Sequence, residues 1–176
     1  LRSHIAAVYD QSKKEYIYLK NHNLVAPIAS ITKLMTAIVT LESGLPLLET
    51  LKITRNDIDR YKNTSSKIRI GSKLMRSEML KLSLMASENR AASALARNYP
   101  GGTKGFVKAM NIKAKQLGMK NTHFVDSTGL RPQNVSTALD LIKLVEASSK
   151  FSIMSKYTTT SKFSVEAKNR YSQYVN

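Results

Sequence analysis

Apolar residues along this chain change their spacing several times, and each change marks an element. Ile5-Ala6-Ala7-Val8-Tyr9 and Glu15-Tyr16-Ile17-Tyr18-Leu19-Lys20 read as two strands, and the polar stretch Asp10 to Lys14 between them predicts a hairpin turn. Beyond Pro27, the run Leu34-Met35-Thr36-Ala37-Ile38-Val39-Thr40-Leu41 predicts a helix that opens at Ser30 and ends near Ser43-Gly44, with Pro46 close behind. The segment Lys52 to Lys73 is mixed. Thr54 to Tyr61 reads as loop or short helix, and Lys67-Ile68-Arg69-Ile70-Gly71 alternates like a short strand. Helical spacing then dominates, over Ser77 to Met85, Ala91 to Ala96, and Phe106 to Leu117 with Gly118 as its stop. Tyr99-Pro100-Gly101-Gly102 breaks the last two apart. Asp126 to Leu130 is a turn, and Ser136-Thr137 caps a helix running through Val145. Alternation from Lys162 to Val175 predicts a strand. Met35, Met79, Met85, Met110 and Met119 fall at helical spacings and are expected as core fillers.

Composition narrows the class. With 176 residues, 42% of them hydrophobic and 23% charged, the chain can bury a real core and reads as one domain, residues 1–176, with no repeat or linker. No apolar run approaches the roughly 18 residues of a membrane span. The first ten residues lack the basic and long apolar regions of a signal peptide, so an exported protein would already have lost its signal. The absence of cysteine excludes disulfides and thiolate metal sites and fixes no compartment. Net charge is +16, which implies attraction to polyanions. The lysines and arginines are scattered, without the aromatic-glycine signature of a strand-binding module. A solvated cationic surface, or adhesion to anionic membrane or cell-wall polymer, fits this charge, and nucleic acid is not the expected partner.

Two short motifs carry chemistry. Ser30-Ile31-Thr32-Lys33 places a hydroxyl and an amine nearly one helical turn apart, about 5–6 Å at Cβ. It is the only serine in the chain with a lysine at the third position after it. A serine hydroxyl needs a neighbouring base to become a nucleophile, and an amine whose pKa is lowered by burial can be that base. Free N–H groups at a helix start would stabilise an oxyanion formed beside it. Ser87-Glu88-Asn89, the only Ser-x-Asn in the chain, lies between two helical patterns.

Together these motifs form two of the three that mark β-lactamases and penicillin-binding proteins. Ala29 to Ala37 is similar to the nucleophile segment of the D-alanyl-D-alanine peptidases. Met79 to Ala92, Tyr99 to Gly102 and Leu117 to Leu130 resemble the penicillin-binding protein 7/8 group, so the likeness covers nearly the whole chain. It implies a mixed α/β (α+β) fold of the β-lactamase/transpeptidase type, an antiparallel sheet flanked by helices, with a helical subdomain over about residues 52–150. It also implies that Ser30 becomes the acyl-enzyme, Lys33 takes its proton, Ser87 relays a proton to the leaving amine, and Asn89 binds the substrate backbone and holds Lys33. Glu88 should point away from the pocket. The implied enzyme is a periplasmic D,D-peptidase that cleaves peptidoglycan peptide cross-links, is acylated by β-lactam antibiotics and needs neither cofactor nor metal.

The third motif, Lys-Thr-Gly or Lys-Ser-Gly, does not occur in these residues. In the family it supplies substrate-carboxylate contacts and an oxyanion donor, whose loss costs about 10²–10³ in rate. The expectation is a C-terminally incomplete domain, lacking sheet strands, with little turnover of its own. Rival readings are weaker. His4, His22 and His123 have no zinc-peptidase spacing; no Gly-x-Ser-x-Gly elbow is present; Asp126-Ser127-Thr128-Gly129 reads as a structural turn. A β-lactamase would need a second base for deacylation, and a non-catalytic wall-binding protein would use only fold and charge.

Overall fold

The computed structural model describes residues 2–166 and 171–176. Strands β1 (Ala6–Asp10) and β2 (Glu15–Lys20) pair antiparallel as the alternation predicts, with a bulge between Val8 and Tyr9. Asp10 closes the turn by accepting from the Ser12 and Lys13 N–H groups and the Ser12 hydroxyl. The two-residue strand β3 (Ala26–Pro27) leads into a 3₁₀ turn, Ala29–Ile31, and then helix α1 (Thr32–Glu42). Leu34 and Leu41 are partly buried in α1, while Thr32, Lys33 and Met35 to Thr40 are buried. A helix buried on so many sides is the central post of a core, not a surface helix.

Strand β4 (Thr50–Lys52) pairs with β5 (Lys73–Met75), and a 3₁₀ turn, Arg55–Asp57, lies between them. Lys67 to Gly71 is not a strand. Its alternation is real in burial, since Ile68 is 1% exposed, but Ser66 Oγ takes the Ile68 N–H and Arg90 takes the Ile68 carbonyl. Both groups a strand neighbour would need are thus used. Helices α2 (Arg76–Met85), α3 (Asn89–Arg97) and α4 (Gly102–Gln116) follow. Gly118, at φ +68, ends α4 with the Met119 N–H bonded to the Ala114 carbonyl, a Schellman stop.

Strand β6 (Val135–Ser136) returns to pair with β3, and Thr137 caps α5 (Ala138–Ser149) by accepting from the Asp140 N–H. A short helix α6 (Ser152–Thr158), not foreseen in the sequence, precedes β7 (Lys162–Glu166) and β8 (Tyr171–Val175). The single strand expected over 162–175 is therefore an antiparallel pair, with residues 167–170 outside the described residues. All the strand pairings are antiparallel two-stranded ladders, set among helices. Met35, Met79, Met85, Met110 and Met119 are each 3% exposed or less, as core fillers should be.

Candidate active site

The β3–β6 pairing lays the segment before α1 against the loop 126–134, and that contact shapes the site. Ala29 sits at φ +46, a left-handed conformation that costs a non-glycine residue about 1 kcal/mol or more, and it lifts Ser30 to the surface. Gly129, at φ +82, packs so closely beneath this turn that a Cβ there would lie 1.8 Å from the Ala29 carbonyl oxygen. Only glycine fits. The loop carrying Gly129 is wound on Asp126, which accepts from the Thr128, Gly129 and Arg131 N–H groups, the Thr128 hydroxyl and the Asn134 amide. Thr36 of α1 donates to the Ser127 carbonyl at 2.7 Å and fixes loop to helix.

Lys33 lies one turn into this assembly and is 2% exposed. Its Nζ donates to Ser30 Oγ at 3.0 Å and to the Thr128 carbonyl at 2.7 Å. Burial pulls its pKa from 10.5 down to about 8, against the smaller opposing pull of Asp126 and Glu88. The ammonium has no carboxylate bonded to it among the described residues, so little prevents loss of its proton. The Thr128 carbonyl holds one N–H, which leaves the nitrogen lone pair of the free amine to face Ser30.

Ser87 comes from the junction between α2 and α3, at φ +52, and donates to Ser30 Oγ at 2.9 Å. An exposed hydroxyl at Ser30 thus stands between a buried amine and a second exposed hydroxyl. Glu88 is 7% exposed and caps α3 by accepting from the Arg90 N–H. Asn89 makes no hydrogen bond to Lys33 among the described residues. Its Nδ2 donates to Thr64 Oγ1 at 3.0 Å, and the group holding Lys33 is the Thr128 carbonyl instead. Asn89 is the first residue of α3, and its Nδ2 faces the 59–64 loop.

Ser127 is buried and donates to the Ala92 carbonyl, so the Asp126-Ser127-Thr128-Gly129 turn is structural. His123 bridges by its backbone to Val135, well separated in the chain from His4 and His22. A hollow of about 750 Å³ lies elsewhere, between β1, α5 and the start of α1. Its wall is mostly aliphatic, and neither Lys33 nor Ser87 lines it.

The family model for D-alanyl-D-alanine carboxypeptidases (peptidase S11) matches residues 1–176. The chain belongs to this family. It is 52% identical over 160 residues to a D-alanyl-D-alanine endopeptidase of Pseudomonas aeruginosa, covering 91% of this chain and 52% of that one. A D-alanyl-D-alanine endopeptidase of Escherichia coli is 50% identical over 155 residues, covering 88% of this chain and 50% of that one. The chain spans about half the length of these curated relatives. Among solved structures, a mutant of the Streptomyces K15 DD-transpeptidase superimposes with a TM-score of 0.88 at 28% identity, over 99% of this chain and 75% of that one.

In this member of the peptidase family, four contributors escaped the sequence reading: the Thr128 carbonyl, Asp126, Gly129 and Thr64. Backbone carbonyls leave no residue-type signature. The Asp-Ser-Thr-Gly run did signal an aspartate-nucleated turn, but not that the turn would reach Lys33, 95 residues away in the chain.

Proposed function

We propose that this chain carries the acylating centre of a serine D,D-peptidase that cuts D-Ala peptide bonds in peptidoglycan cross-links. The observation that carries the reading is the row of three groups, Lys33 Nζ, Ser30 Oγ and Ser87 Oγ, with the amine buried and its pKa near 8. Lys33 as free amine takes the Ser30 proton while Ser30 Oγ bonds to the carbonyl carbon. As the C–N bond breaks, the proton passes through Ser87 to the leaving amine, and water later releases the acyl group. Ser30's own N–H, at the start of the helical segment, is positioned to donate to the oxyanion. Half-identity to two endopeptidases supports cross-link cleavage over trimming of chain ends.

A substrate in the cell wall argues for an exported, periplasmic protein, and the +16 charge supports adhesion to anionic wall or membrane. β-Lactams should acylate Ser30. The carboxylates that bear electrostatically on Lys33 are committed elsewhere, Asp126 to its loop and Glu88 to the α3 cap. Neither is free to serve as a second base, which favours a long-lived penicilloyl adduct over β-lactamase turnover. Incubation with fluorescent penicillin should label the wild type, leave Ser30→Ala unlabelled, and give an adduct lasting many minutes after dilution. A wild type that never labels would defeat the catalytic reading, and release within seconds would favour the lactamase. Digestion of purified cross-linked muropeptides, followed by chromatography, tests the substrate.

A further inference from the structure

Beside the nucleophile, a groove of about 480 Å³ runs from Asn89 and Thr128 between the loops 59–64 and 126–131. Both loops are built the same way. Asp59 accepts from the Tyr61, Lys62 and Thr64 N–H groups and the Thr64 hydroxyl, just as Asp126 gathers its own loop. Partial burial alone would raise the Asp59 pKa, but these four bonds outweigh it and hold the pKa near 2. Both carboxylates also line the groove, with the bonds of Asp59 made inside its loop and those of Asp126 to its loop and to Asn134. Each loop also carries an exposed arginine into the lining of the groove, Arg60 in one wall and Arg131 in the other. Neither guanidinium has a hydrogen-bond or ion-pair partner among the described residues.

The walls are also fixed in register with the reacting groups. Thr64 ties the first loop to Asn89, and Thr128 and Gly129 tie the second to Lys33 and the Ser30 turn. A ligand group seated here would be part of the molecule being acylated, and two unpaired guanidinium forks match carboxylates in geometry and charge. Tyr61 and Leu130 offer apolar cover for the stem of such a group.

We propose that this groove is a specificity subsite for a free side-chain carboxylate of the peptide substrate, with Arg60 and Arg131 as its determinants. The proposal rests on the D,D-peptidase reading and goes beyond it by naming the chemistry that selects the substrate. A charge-assisted contact contributes enough for about a tenfold preference per arginine.

The test uses two D-alanyl peptides that differ only in a side-chain carboxylate or carboxamide, as competitors of fluorescent-penicillin labelling of Ser30. The acid should protect at least about tenfold better in wild type. In the Arg60→Gln/Arg131→Gln double variant the acid and amide should protect within about twofold of each other, with Arg→Lys at both positions restoring part of the preference. Circular dichroism confirms that each variant is folded. Equal protection by the two peptides, protection by neither, or a preference that survives in the double variant would each overturn the subsite while leaving the acylation chemistry standing. Absence of any wild-type label would remove the D,D-peptidase reading and the subsite with it.

Discussion

A lysine that must act as a base has to lose its proton near neutral pH, and Lys33 is placed for that by burial rather than by a neighbouring cation. With its pKa near 8, about a tenth of the molecules carry the free amine at pH 7. Penicillin acylation should therefore rise with pH and level off above a midpoint near 8, as measured by stopped-flow or gel fluorescence; a flat profile from pH 6 to 9 would argue against Lys33 as base. The same shift appears in stability. Between the folded value near 8 and the ordinary 10.5, the unfolded chain binds the extra proton. Stability contributed by this residue thus increases as pH climbs through that window, and the cost of the buried charge is fully present below it. Chemical denaturation at pH 7.5 and pH 10 should show a larger gain for wild type than for Lys33→Met. Gly129→Ala places a methyl group where the Ala29 carbonyl already stands. A displacement of about 1 Å at the nucleophile costs on the order of 10²-fold in rate, so labelling should fall by at least that much. At this scale the sequence was generous about side chains and silent about backbone. Ser30, Lys33 and Ser87 come together as their motifs imply, whereas the partner of Asn89, Thr64, belongs to a loop wound on Asp59 that no apolar spacing marks.

Elements stand or fall here on a few buried charges. Asp57, 2% exposed, closes the capping box with Thr54 and receives Ser93 and both nitrogens of an Arg97 fork, at 3.0 and 2.9 Å. Removing the arginine leaves a buried carboxylate without its counter-ion, which costs roughly 3–5 kcal/mol. Arg97→Ala should show that loss in urea unfolding, because β4, the 54–57 turn and α3 all meet at this carboxylate. The Lys113–Glu42 pair joins α4 to α1 with both side chains partly in solvent, and Lys113→Ala should cost under about 1 kcal/mol. Equal losses for the two would contradict the burial argument. Helices were the most legible elements, because α1, α4 and α5 have long apolar stripes and strong end signals such as Gly118 and Thr137. Helix α6 was missed because Ser152 to Thr158 is too short to show a period, and β7 and β8 merged because the same alternation runs through both.

For the whole molecule, the charge of +16 governs encounters over distances that single contacts do not reach. Association with purified cell walls should be electrostatic. The pelleted fraction should drop steeply between 50 and 500 mM salt, as the screening length shrinks below about 10 Å, and Ser30→Ala should pellet like wild type. Salt-independent pelleting would point to a contact other than charge. Mixed α/β architecture was readable from the resemblance, and the structural neighbours share it. What the pattern did not convey was how the 126–131 loop is fastened, through Thr36 to Ser127, Gly129 against Ala29, and Lys33 to Thr128. These three fastenings make the Ser30 turn, Lys33 and the Thr128 carbonyl a single body keyed into the central helix. On heating, such a body has no partial way to loosen. Residual labelling, read against temperature, should follow the cooperative loss of ellipticity point for point, with no cooler shoulder in which a folded protein has already gone silent.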